Sequence, residues 1–485
     1  MKTDRGASAK LAAAREYREA RQIHWDKIAL KKDSWKSLGT YYHKRLGQLY
    51  THLVSPGQKI LEIGCGTGEL LAKLKPSVGV GVDLSDEMVK RATQRFPKLR
   101  FIHADAHDLT LDETFDVIIL SDLANDLWDV QNVFEGLRNV STSRTRIILN
   151  MYSHLWELPL FFAQLFGLST PLLSQNWLTI EDVKNMLNLA GFEVIRTWQE
   201  ILWPFETPIL SSFLNKYAVK LWLLSHLALT NFVIARRKPT EENKKAKPIV
   251  SVVIPARNEA GNIDEILRRT PEMGRGTELI FVEGNSSDNT YEVIEKTISA
   301  HPERRCKLFR QTGRGKGDAV RLGYQNASGD IFMILDADMT VPPEDLTRFY
   351  DAIMSGDGEF INGVRLIYPM EKEAMRYFNL LGNKFFSLAF SWLLGQPIKD
   401  TLCGTKVLSR LDYDKIATNR AYFGDFDPFG DFDLLFGAAM QNLKIVEMPI
   451  RYAERRYGST NIDRWKHGWL LLKMTAYAMK KIKFI

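Results

Sequence analysis

Short apolar runs alternate with amphipathic stretches along the chain, and a single polar segment interrupts this alternation. The interruption reads RRKPTEENKKAKP (residues 236–248), is rich in lysine and carries a proline near each end. Such a segment is typical of a linker between domains. Strand-like runs that alternate with helical patterns predict βαβ units with largely parallel sheets. The sequence therefore predicts two α/β domains, one on each side of this segment.

The length of the chain supports a division into two domains. A chain of 485 residues exceeds what one ordinary hydrophobic core can organise. Its 45% apolar and 25% charged residues are typical of a globular protein and exclude disorder as the dominant state. We expect an N-terminal domain with a helical extension over residues 1–237, a linker over 238–248 and a C-terminal domain over 249–485.

The predicted strands follow one another in a Rossmann-like order in both halves of the chain. Before the linker they are KILEIGC, VGVGVDL, LRFIHAD, FDVIILSD, TRIILNMYS, FEVIRTWQEIL and NFVIARR. After the linker they are SVVIPARNE, ELIFVEGN, CKLFRQT and DIFMILDAD, and helices are predicted from Ala260, Thr290 and Lys316.

Charge and cysteine content limit the compartment and the partners. The formal net charge of +7 suits anionic small molecules, lipid headgroups or nucleic acid without choosing among them. The 3 cysteines are widely spaced and form no C-x-x-C pair, which argues against a disulfide framework and a zinc knuckle. The charged N-terminus lacks the apolar core of a signal peptide, and no run of about 20 uncharged apolar residues is present. We expect a cytoplasmic protein, and a peripheral position on the inner face of the cytoplasmic membrane stays open.

A glycine-rich turn follows the first predicted strand, in LEIGCGTGEL. Its three glycines, Gly64, Gly66 and Gly68, permit positive φ angles and let a ligand approach the free N–H groups of a helix start. The dinucleotide fingerprint G-x-G-x-x-G would need glycine where the chain has Glu69, so an NAD site is disfavoured. At the end of the next predicted strand, Asp83 is suited to hold both ribose hydroxyls of an adenosine ligand.

The third predicted strand ends at Asp105, where a carboxylate can meet the edge of an adenine. With these residues in register, the region 20–237 resembles the class I S-adenosylmethionine-dependent methyltransferases, whose motif E-x-G-x-G-x-G matches Glu62 to Gly68. The resemblance implies S-adenosylmethionine as the cofactor. It implies binding by the following residues: Glu62, Gly64, Gly66, Gly68, Asp83, Asp105 and Ala106. For the glycines alone, a tight turn in another nucleotide-binding domain is the alternative.

The same resemblance places the loop Ser121–Asp129 beside the transferred methyl group. Methyl transfer is an in-line displacement in which the enzyme mainly positions the nucleophile, so a base is optional. Aromatic and polar side chains are candidates for the acceptor side: Tyr41, Tyr42, His43, Asp122 and Asn125. An ordinary helix or loop role is the alternative for each. The loop lacks the N-P-P-Y-type tetrad of nucleic-acid methyltransferases, so no nucleic-acid partner is expected.

In the second half, the apolar run FMILDADMT contains two aspartates one residue apart, Asp336 and Asp338. Alternate residues of a strand share a face, so an extended chain would make the two carboxylates neighbours. A hard divalent cation with oxygen ligands is the usual means of stabilising like charges that lie this close. The alternative is a turn with two solvated aspartates, and the surrounding motifs decide between the two.

The motifs SVVIPARNEAG, VEGNSSDNT and RGKGDAV precede this pair in order. Together they resemble the GT-A fold of glycosyltransferase family 2, close to the dolichyl-phosphate mannose synthase branch, over residues 249–460. The resemblance implies that Asp336 and Asp338 hold Mg²⁺ or Mn²⁺ against the diphosphate of a nucleotide-sugar, and so assigns Asp338 to catalysis. It implies nucleotide-sugar contacts for these residues: Pro255, Asn258, Glu259, Glu283, Lys316 and Asp336. Glu283 and Gly284 stand where family members carry two aspartates, so the nucleotide base stays open.

Two acceptor classes stay open for the glycosyl group. Asp431 stands where family members that act on sugar hydroxyls carry a general base, and Asp400 is a second candidate. An N-cap or surface role is the alternative for each. The segment PIRYAERRYGSTNI resembles an element that clamps the acceptor phosphate in polyprenyl-phosphate enzymes, although asparagine replaces its lysine. The resemblance implies phosphate contacts for Arg451, Arg455 and Arg456, whose forked donors suit that group.

A basic amphipathic helix is predicted near the end of the chain. Its apolar stripe consists of Trp465, Trp469, Leu472, Ala476 and Met479, beside lysines that repeat every seven residues. Such a helix can lie on an anionic membrane, and the alternative is a terminal helix docked on its own domain.

The two resemblances predict a bifunctional enzyme. The C-terminal domain is expected to transfer a sugar, with inversion, from a nucleotide-sugar to a polyprenyl phosphate or a related lipid or glycan acceptor. The N-terminal domain is expected to methylate that product or a related metabolite. The alternative is transfer to a sugar hydroxyl in cell-surface polysaccharide assembly, with the N-terminal domain serving as an S-adenosylmethionine-binding sensor or scaffold.

Overall fold

The computed structural model describes residues 2–31, 39–167, 169–239, 247–365, 367–368, 377–420, 430–453, 455, 457 and 464–485. The chain divides into two compact units, Met1–Lys238 with Phe484–Ile485, and Pro239–Lys483. Each unit contains one seven-stranded sheet flanked by helices. The α/β fold class that the sequence predicts is therefore confirmed for both units.

The sheet of the first unit consists of strands that correspond to the seven predicted runs. They are β1 Lys59–Ile63, β2 Val78–Asp83, β3 Arg100–His103, β4 Phe115–Ser121, β5 Ser141–Tyr152, β6 Phe192–Glu200 and β7 Thr230–Arg237. Their order is β3-β2-β1-β4-β5-β7-β6, with parallel pairing except at β7, which is antiparallel to both neighbours. The carboxyl ends of the parallel strands share one edge, which is where open α/β sheets bind ligands.

Nine helices of the first unit lie within the described residues. They are α1 Lys2–Lys31, α2 Thr40–Leu53, α3 Glu69–Lys73, α4 Asp86–Arg95, α5 Val130–Gly136, α6 Glu157–Leu165, α7 Ile180–Leu189, α8 Leu210–Lys216 and α9 Trp222–Ser225. Helix α7 begins with a reciprocal capping box between Thr179 and Asp182. Along β1, Ile60 packs into one hydrophobic cluster and Leu61 into another, because successive side chains of a strand point to opposite faces. The sheet is therefore covered on both sides.

The sheet of the second unit contains the four predicted strands and three more. They are β8 Val250–Ala256, β9 Thr277–Glu283, β10 Arg305–Arg310, β11 Ile331–Ile334, β12 Phe360–Val364, β13 Lys406–Ser409 and β14 Ile445–Pro449. Their order is β10-β9-β8-β11-β13-β12-β14, and β13 runs antiparallel to β11 and β12. The last three strands were not predicted, since each has at most five residues and carries glycine, lysine, glutamate or proline within its apolar pattern.

Eight helices complete the described part of the second unit. They are α10 Ile263–Arg269, α11 Thr290–Ala300, α12 Lys316–Gln325, α13 Leu346–Met354, α14 Tyr377–Leu394, α15 Arg410–Thr418, α16 Asp431–Met440 and α17 Arg464–Ala478. The helix predicted from Ala260 begins there as a 3₁₀ turn that leads into α10. Within the described ranges, no helix has both the length and the hydropathy that a membrane crossing requires.

Helix α17 buries a different face from the stripe that the sequence suggests. Leu471, Met474 and Ala478 are buried in the core of the second unit, whereas Trp469 and Leu472 are exposed. The side chain of Trp465 lies outside the described residues. The helix is therefore docked on its own domain. Of the predicted stripe, Trp469, Leu472 and Ala476 are exposed, whereas Met479, just beyond the helix, packs partly buried against the core.

Candidate active sites

The glycine-rich turn of the first unit leaves open space above its backbone. Gly64, Gly66 and Gly68 have φ angles of 74°, 51° and 77°, which L side chains rarely adopt. A Cβ atom at Gly66 would meet nothing within 4 Å, whereas one at Gly68 would lie 2.6 Å from the ring of Phe101. The turn is thus packed against Phe101 at Gly68 and open at Gly66, as a ligand-binding turn requires.

Two buried carboxylates support this turn. Asp83 accepts hydrogen bonds from the backbone N–H groups of Gly66 at 2.7 Å and Ser85 at 2.9 Å, which fix the glycine turn to the end of β2. Burial raises the pKa of Asp83, and it raises the pKa of Glu62 to about 8. Among the described residues, the Oε2 atom of Glu62 has no hydrogen-bond partner. An orphaned carboxylate oxygen near an open glycine turn fits a ligand that carries an amino group or a positive charge.

Asp105 lies at the end of β3 and caps the short 3₁₀ turn that begins at Ala106. It accepts hydrogen bonds from Nδ1 of His107 at 2.6 Å and from Nη1 of Arg18 at 2.9 Å. Burial alone would raise the pKa of Asp105, but these hydrogen bonds lower it to about 2. The carboxylate is therefore ionised, and its contact with an adenine stays a prediction.

Helix α1 lies against the carboxyl-terminal edge of the sheet, which the sequence did not indicate. In addition to Arg18, which bonds Asp105, this helix carries Asp26. The Asp26 carboxylate accepts hydrogen bonds from the Ser85 hydroxyl and from the backbone N–H of Glu87 at the start of α4. The indole of Trp25 donates to Asp126 at 2.8 Å, in the loop that follows β4. The N-terminal helical extension thus contacts loops that follow three strands, and it forms one wall of the candidate site.

The loop after β4 brings together two of the candidate acceptor-side residues. Asp122, at φ 55°, accepts hydrogen bonds from the hydroxyl of Tyr42 at 2.8 Å and from Nδ2 of Asn150 at 2.5 Å. The hydroxyl of Tyr50 donates to the same asparagine at 2.7 Å. Burial raises the pKa of Asp122 to about 7, while the bonds from Tyr42 and Asn150 act in the opposite direction. A carboxylate that titrates near neutral pH is suited to accept a proton from a substrate.

The other acceptor-side candidates have different contacts. Asn125 is fully buried, donates to the Asn176 carbonyl and accepts from the backbone of Tyr152, so it holds two segments together. Tyr41 accepts a hydrogen bond from Asn215. Tyr42 and Asp122 are therefore bonded to each other, whereas Tyr41 and Asn125 have other partners, and the acceptor-side role of each stays a prediction.

In the second unit, the loops after β8 and β9 are tied to each other. Asn258, at φ 57°, donates from its backbone to the Ser286 hydroxyl at 3.0 Å, and its side chain accepts from the backbone of Ser287 at 2.8 Å. Glu283 accepts from the backbone of Ser286 at 2.5 Å. Pro255 lies within β8, in the run that the sequence predicts as a strand. These predicted nucleotide-sugar residues thus share one edge of the sheet.

Strand β11 ends at Ile334, so the two aspartates of the D-x-D motif lie in the turn that follows it. The expectation that the strand remains extended through both aspartates was wrong. The last ladder bond joins the backbone of Leu335 to Val253, after which the chain turns, and Met339 adopts a φ of 57°. The aspartates are still delivered to the carboxyl-terminal edge of the sheet.

Each aspartate of the motif pairs with a cationic side chain. Lys316, at the start of α12, lies 2.5 Å from Oδ1 of Asp336. Burial would raise the pKa of Asp336, but Lys316 lowers it below its usual value. Nη2 of Arg455 donates to Oδ2 of Asp338 at 2.8 Å, and the Thr340 hydroxyl donates to Oδ1 at 2.7 Å. The alternative of two solvated aspartates therefore does not describe this turn.

The donor set agrees with a divalent cation that is completed by substrate oxygens. In the described part of the chain, no group of three or more His, Cys, Asp or Glu side chains converges on one point. Mg²⁺ is commonly held by one or two carboxylates together with substrate phosphates and water. Asp336 and Asp338 supply such a pair of carboxylates.

Gly404 is a site residue that the sequence analysis missed. A Cβ atom at this position would lie 2.0 Å from Oδ2 of Asp336 and 2.2 Å from Nζ of Lys316. Only glycine leaves room for this ion pair beside the backbone. The signal was a single glycine in KDTLCGTK, which by itself does not distinguish this role from a turn.

Both candidate bases of the second unit form ion pairs. Asp431, the first residue of α16, accepts from Nζ of the fully buried Lys406 at 2.7 Å. Asp400 accepts from both Nε and Nη2 of Arg365, at 2.7 and 2.8 Å. Burial would raise the pKa of Asp400, but this fork lowers it. A carboxylate that accepts two hydrogen bonds from an arginine and has a lowered pKa is a weak base. The geometry therefore favours a positioning role for Asp400, and its catalytic role stays a prediction.

Among the three arginines predicted to bind an acceptor phosphate, Arg455 reaches the donor site. Its Nη1 donates to Oε1 of Glu259 at 2.8 Å while its Nη2 donates to Asp338. Burial raises the pKa of Glu259 to about 7, although Arg455 acts in the opposite direction. Arg451 lies over the ring of Tyr368, with 5.2 Å between the guanidinium carbon and the ring centroid. Arg456 lies outside the described residues.

Comparisons with known sequences agree with this division. Residues 251–415 match the family model described as glycosyl transferase family 2, and residues 60–143 match the model described as methyltransferase domain. A dolichol-phosphate mannosyltransferase of Pyrococcus furiosus is 27% identical over 48% of this chain and 67% of its own length. The glycosyltransferase AglJ of Haloferax volcanii is 29% identical over 46% of this chain and 69% of its own length. An undecaprenyl-phosphate 4-deoxy-4-formamido-L-arabinose transferase of Edwardsiella ictaluri is 32% identical over 23% of this chain and 36% of its own length.

Solved structures that resemble the chain include the magnesium protoporphyrin IX methyltransferase of Synechocystis PCC 6803. It is 15% identical, covers 46% of this chain and 99% of its own length, and superposes with a TM-score of 0.33. A methyltransferase of Thermotoga maritima is 17% identical over 45% of this chain and 99% of its own length, with a TM-score of 0.35.

The chain combines a methyltransferase domain with a family 2 glycosyltransferase domain. It is thus a transferase with two candidate active sites, and both resemblances that the sequence showed are confirmed at the level of the family.

Proposed function

We propose that the second unit transfers a sugar from a nucleotide-sugar to a polyprenyl phosphate, and that the first unit is an S-adenosylmethionine-dependent methyltransferase. The contact that carries this proposal is the fork of Arg455 between Glu259 and Asp338. It joins a predicted acceptor-phosphate residue to a predicted metal residue. Donor and acceptor phosphates would therefore meet at one point.

On the donor side, Asp336 and Asp338 would hold Mg²⁺ or Mn²⁺. When bound, the ion would stabilise the negative charge that develops on the leaving nucleoside diphosphate. Lys316 lies against Asp336 at the start of α12, where its charge can also reach a diphosphate oxygen. Asn258 and Glu283 fix the loops that would surround the nucleotide.

On the acceptor side, a phosphate needs no general base, because its oxygen is already ionised near neutral pH. This agrees with the pairing of Asp431 with Lys406 and of Asp400 with Arg365, which occupies both candidate bases. Arg455 offers a forked guanidinium that suits a phosphate. The names of two relatives, dolichol-phosphate mannosyltransferase and undecaprenyl-phosphate 4-deoxy-4-formamido-L-arabinose transferase, point to the same acceptor class. Direct attack of this oxygen on the sugar would invert the anomeric centre.

In the first unit, the glycine turn, Glu62, Asp83 and Asp105 would hold S-adenosylmethionine, with Ala106 beside them. The cofactor supplies an electrophilic methyl group, and the chain must orient the acceptor and exclude water. We propose that Asp122, which accepts a hydrogen bond from Tyr42, takes the acceptor's proton. We propose that the methyl acceptor is the glycosylated product or a related metabolite, because fusion in one chain raises the effective concentration of a shared substrate.

This function is tested by supplying one labelled nucleotide-sugar with either a polyprenyl phosphate or the matching polyprenol. The proposal expects label in the organic phase with the phosphate and none with the alcohol. Label in a water-soluble glycan, lost in Asp431→Asn, would instead establish a sugar-hydroxyl acceptor with Asp431 as its base. We also propose a cytoplasmic protein that works at the membrane carrying the lipid acceptor.

A further inference from the structure

A continuous set of apolar side chains is exposed on the first unit. We define the apolar shelf as residues 155–166 and 209–227, which include helices α6, α8 and α9. Most of its large apolar side chains are at least two-fifths exposed, namely Leu155, Leu158, Phe161, Phe162, Leu165, Phe166, Ile209, Leu210, Phe213, Tyr217, Leu221, Trp222, Leu223 and Leu227. Monomeric proteins rarely expose so many apolar groups together, and such patches mark sites of interaction.

Two helices of the shelf contribute little to the core: Leu160 of α6 packs, partly buried, against one hydrophobic cluster of the unit. Neither α6, with the sequence ELPLFFAQL, nor α9, with the sequence WLLS, contains a buried residue. Phe166 is 71% exposed and Trp222 is 76% exposed. An apolar helix that is not buried in its own domain loses stability in water unless something else covers it. The shelf therefore needs an apolar environment from outside the unit.

The two segments of the shelf are held side by side. The indole of Trp156, just before α6, donates to the carbonyl of Leu227 at 2.9 Å. The backbone of Ser153 donates to the carbonyl of Leu229 at 2.8 Å. These bonds lie where β5 ends and β7 begins, at the edge of the sheet that also carries Asp122. The shelf thus starts beside the candidate methyl-acceptor site.

The charges of the shelf indicate which apolar environment it meets. Residues 207–229 contain no aspartate or glutamate, and Lys216 and His226 lie on the shelf, whereas Lys220 is buried in an ion pair with Glu200. In the other segment Glu157 is the only acidic residue, and His154 lies 3.6 Å from it. Leucine, phenylalanine and tryptophan beside basic groups are typical of surfaces that insert into the interface of an anionic bilayer.

We propose that the first unit docks on the surface of an anionic lipid bilayer through the apolar shelf. The docking brings the methyl-acceptor site to the membrane, so the methyl acceptor belongs to the class of lipid-borne molecules. The shelf belongs to the first unit, whereas α17 and the glycosyltransferase site belong to the second. The choice of acceptor rests on the proposed methyltransferase function, whereas the docking itself does not.

The test is flotation of the full-length protein with vesicles of phosphatidylglycerol and phosphatidylcholine, compared with vesicles of phosphatidylcholine alone. The shelf variant is Phe162→Glu with Trp222→Glu. The control is Leu189→Glu, which changes an equally apolar residue, 58% exposed, at the end of α7 outside the shelf. We expect the anionic vesicles to bind wild type and control equally, and the shelf variant at least about tenfold less. Leu388→Glu on α14 serves as the matching control in the second unit.

Several results would overturn the proposal. Wild type that does not float, or a shelf variant that floats like Leu189→Glu, would show that the shelf does not bind lipid. If sedimentation shows that wild type is a dimer and the shelf variant a monomer, the shelf is an interface between copies of the chain and not a lipid-binding surface. Sugar transfer to a short polyprenyl phosphate in detergent separates this question from the proposed function. We expect wild type and the shelf variant to show equal transfer, and a wild type without transfer would count against the proposed function and not against the docking.

Discussion

Arg455 and Asp338 lie 117 residues apart in sequence, and their side chains meet at 2.8 Å. The second branch of the same guanidinium reaches Glu259 at the same distance. This geometry places an arginine of the predicted phosphate element directly on the D-x-D motif. A cation at Asp338 and a phosphate at Arg455 would therefore be immediate neighbours.

Replacement of Arg455 by methionine should separate acceptor binding from donor chemistry. We expect the KM for polyprenyl phosphate to rise about tenfold or more, because a charge-assisted contact with phosphate is removed. Metal-dependent hydrolysis of the nucleotide-sugar without acceptor should be retained. The exposed Arg268→Met is the matched control, since Arg268 pairs only within α10 to Asp264 in the described structure. Equal loss of both activities would contradict the acceptor role of Arg455.

Asp431→Asn should leave transfer to polyprenyl phosphate within a few-fold of wild type. The reason is that an ionised phosphate requires no base, and Asp431 already pairs with the buried Lys406. A fall of about 10²-fold or more, with the protein still folded, would instead identify Asp431 as a general base. Rates measured with saturating donor and acceptor distinguish the two outcomes.

The same buried pair predicts a stability effect. Lys406→Met should lower the free energy of unfolding by about 3–5 kcal/mol, because Asp431 would remain buried without its partner. Lys406→Met with Asp431→Leu should recover part of that loss, since both charges are then removed. Urea unfolding of the three proteins measures the difference. Equal stability of the single and the double variant would contradict a buried, coupled pair.

Asp122 predicts the pH dependence of methyl transfer. Its pKa is raised to about 7, so the rate should rise with pH and level off above neutrality as the carboxylate loses its proton. Tyr42→Phe removes a hydrogen bond that lowers this pKa, and the rising limb should move to higher pH. Asp122→Asn should abolish the limb and slow transfer by about 10²-fold. A pH profile that is unchanged in Tyr42→Phe would exclude Asp122 as the base.

Glu62 predicts the pH dependence of stability. Its pKa is raised from 4.5 in the unfolded chain to about 8 by burial, so the folded state holds a proton that the unfolded state releases. Stability from this group is complete below pH 4.5 and is lost as pH rises through 8, by at most about 1.4 kcal/mol per pH unit. Glu62→Gln should flatten this decline in chemical unfolding experiments between these limits. If the free energy of unfolding declines with pH equally steeply in wild type and Glu62→Gln, the carboxyl of Glu62 is not protonated and buried in the folded state.

Local patterns predicted much of the fold and the position of several candidate site residues along it. All seven strands of the first unit correspond to predicted runs, because a parallel sheet covered on both faces requires continuous apolar segments. The glycine turn, Asp83 and the D-x-D motif were likewise recognised, since each follows a strand at a fixed spacing. Residues whose position depends on local backbone geometry can therefore be predicted from a single sequence.

Contacts between distant segments could not be read in the same way. The bond from Arg18 to Asp105 and the fit of Gly404 against Asp336 depend on tertiary packing that no local pattern encodes. From its residue type alone, Lys406 in β13 would be expected to lie in solvent, yet its side chain is fully buried against Asp431. The short strands β12 to β14 were missed because pairing with neighbours, and not their own propensity, holds them in the sheet.

The central claim is that a metal-dependent glycosyltransferase site is built on Asp336 and Asp338. The most direct measurement is a screen of UDP-, GDP- and dTDP-sugars for Mg²⁺- or Mn²⁺-dependent transfer to polyprenyl phosphate, with wild type and Asp338→Asn side by side. We predict transfer from one donor class that requires the metal, is abolished by chelation and is lost in Asp338→Asn. Transfer that persists without metal, or an Asp338→Asn variant as active as wild type, would contradict the claim.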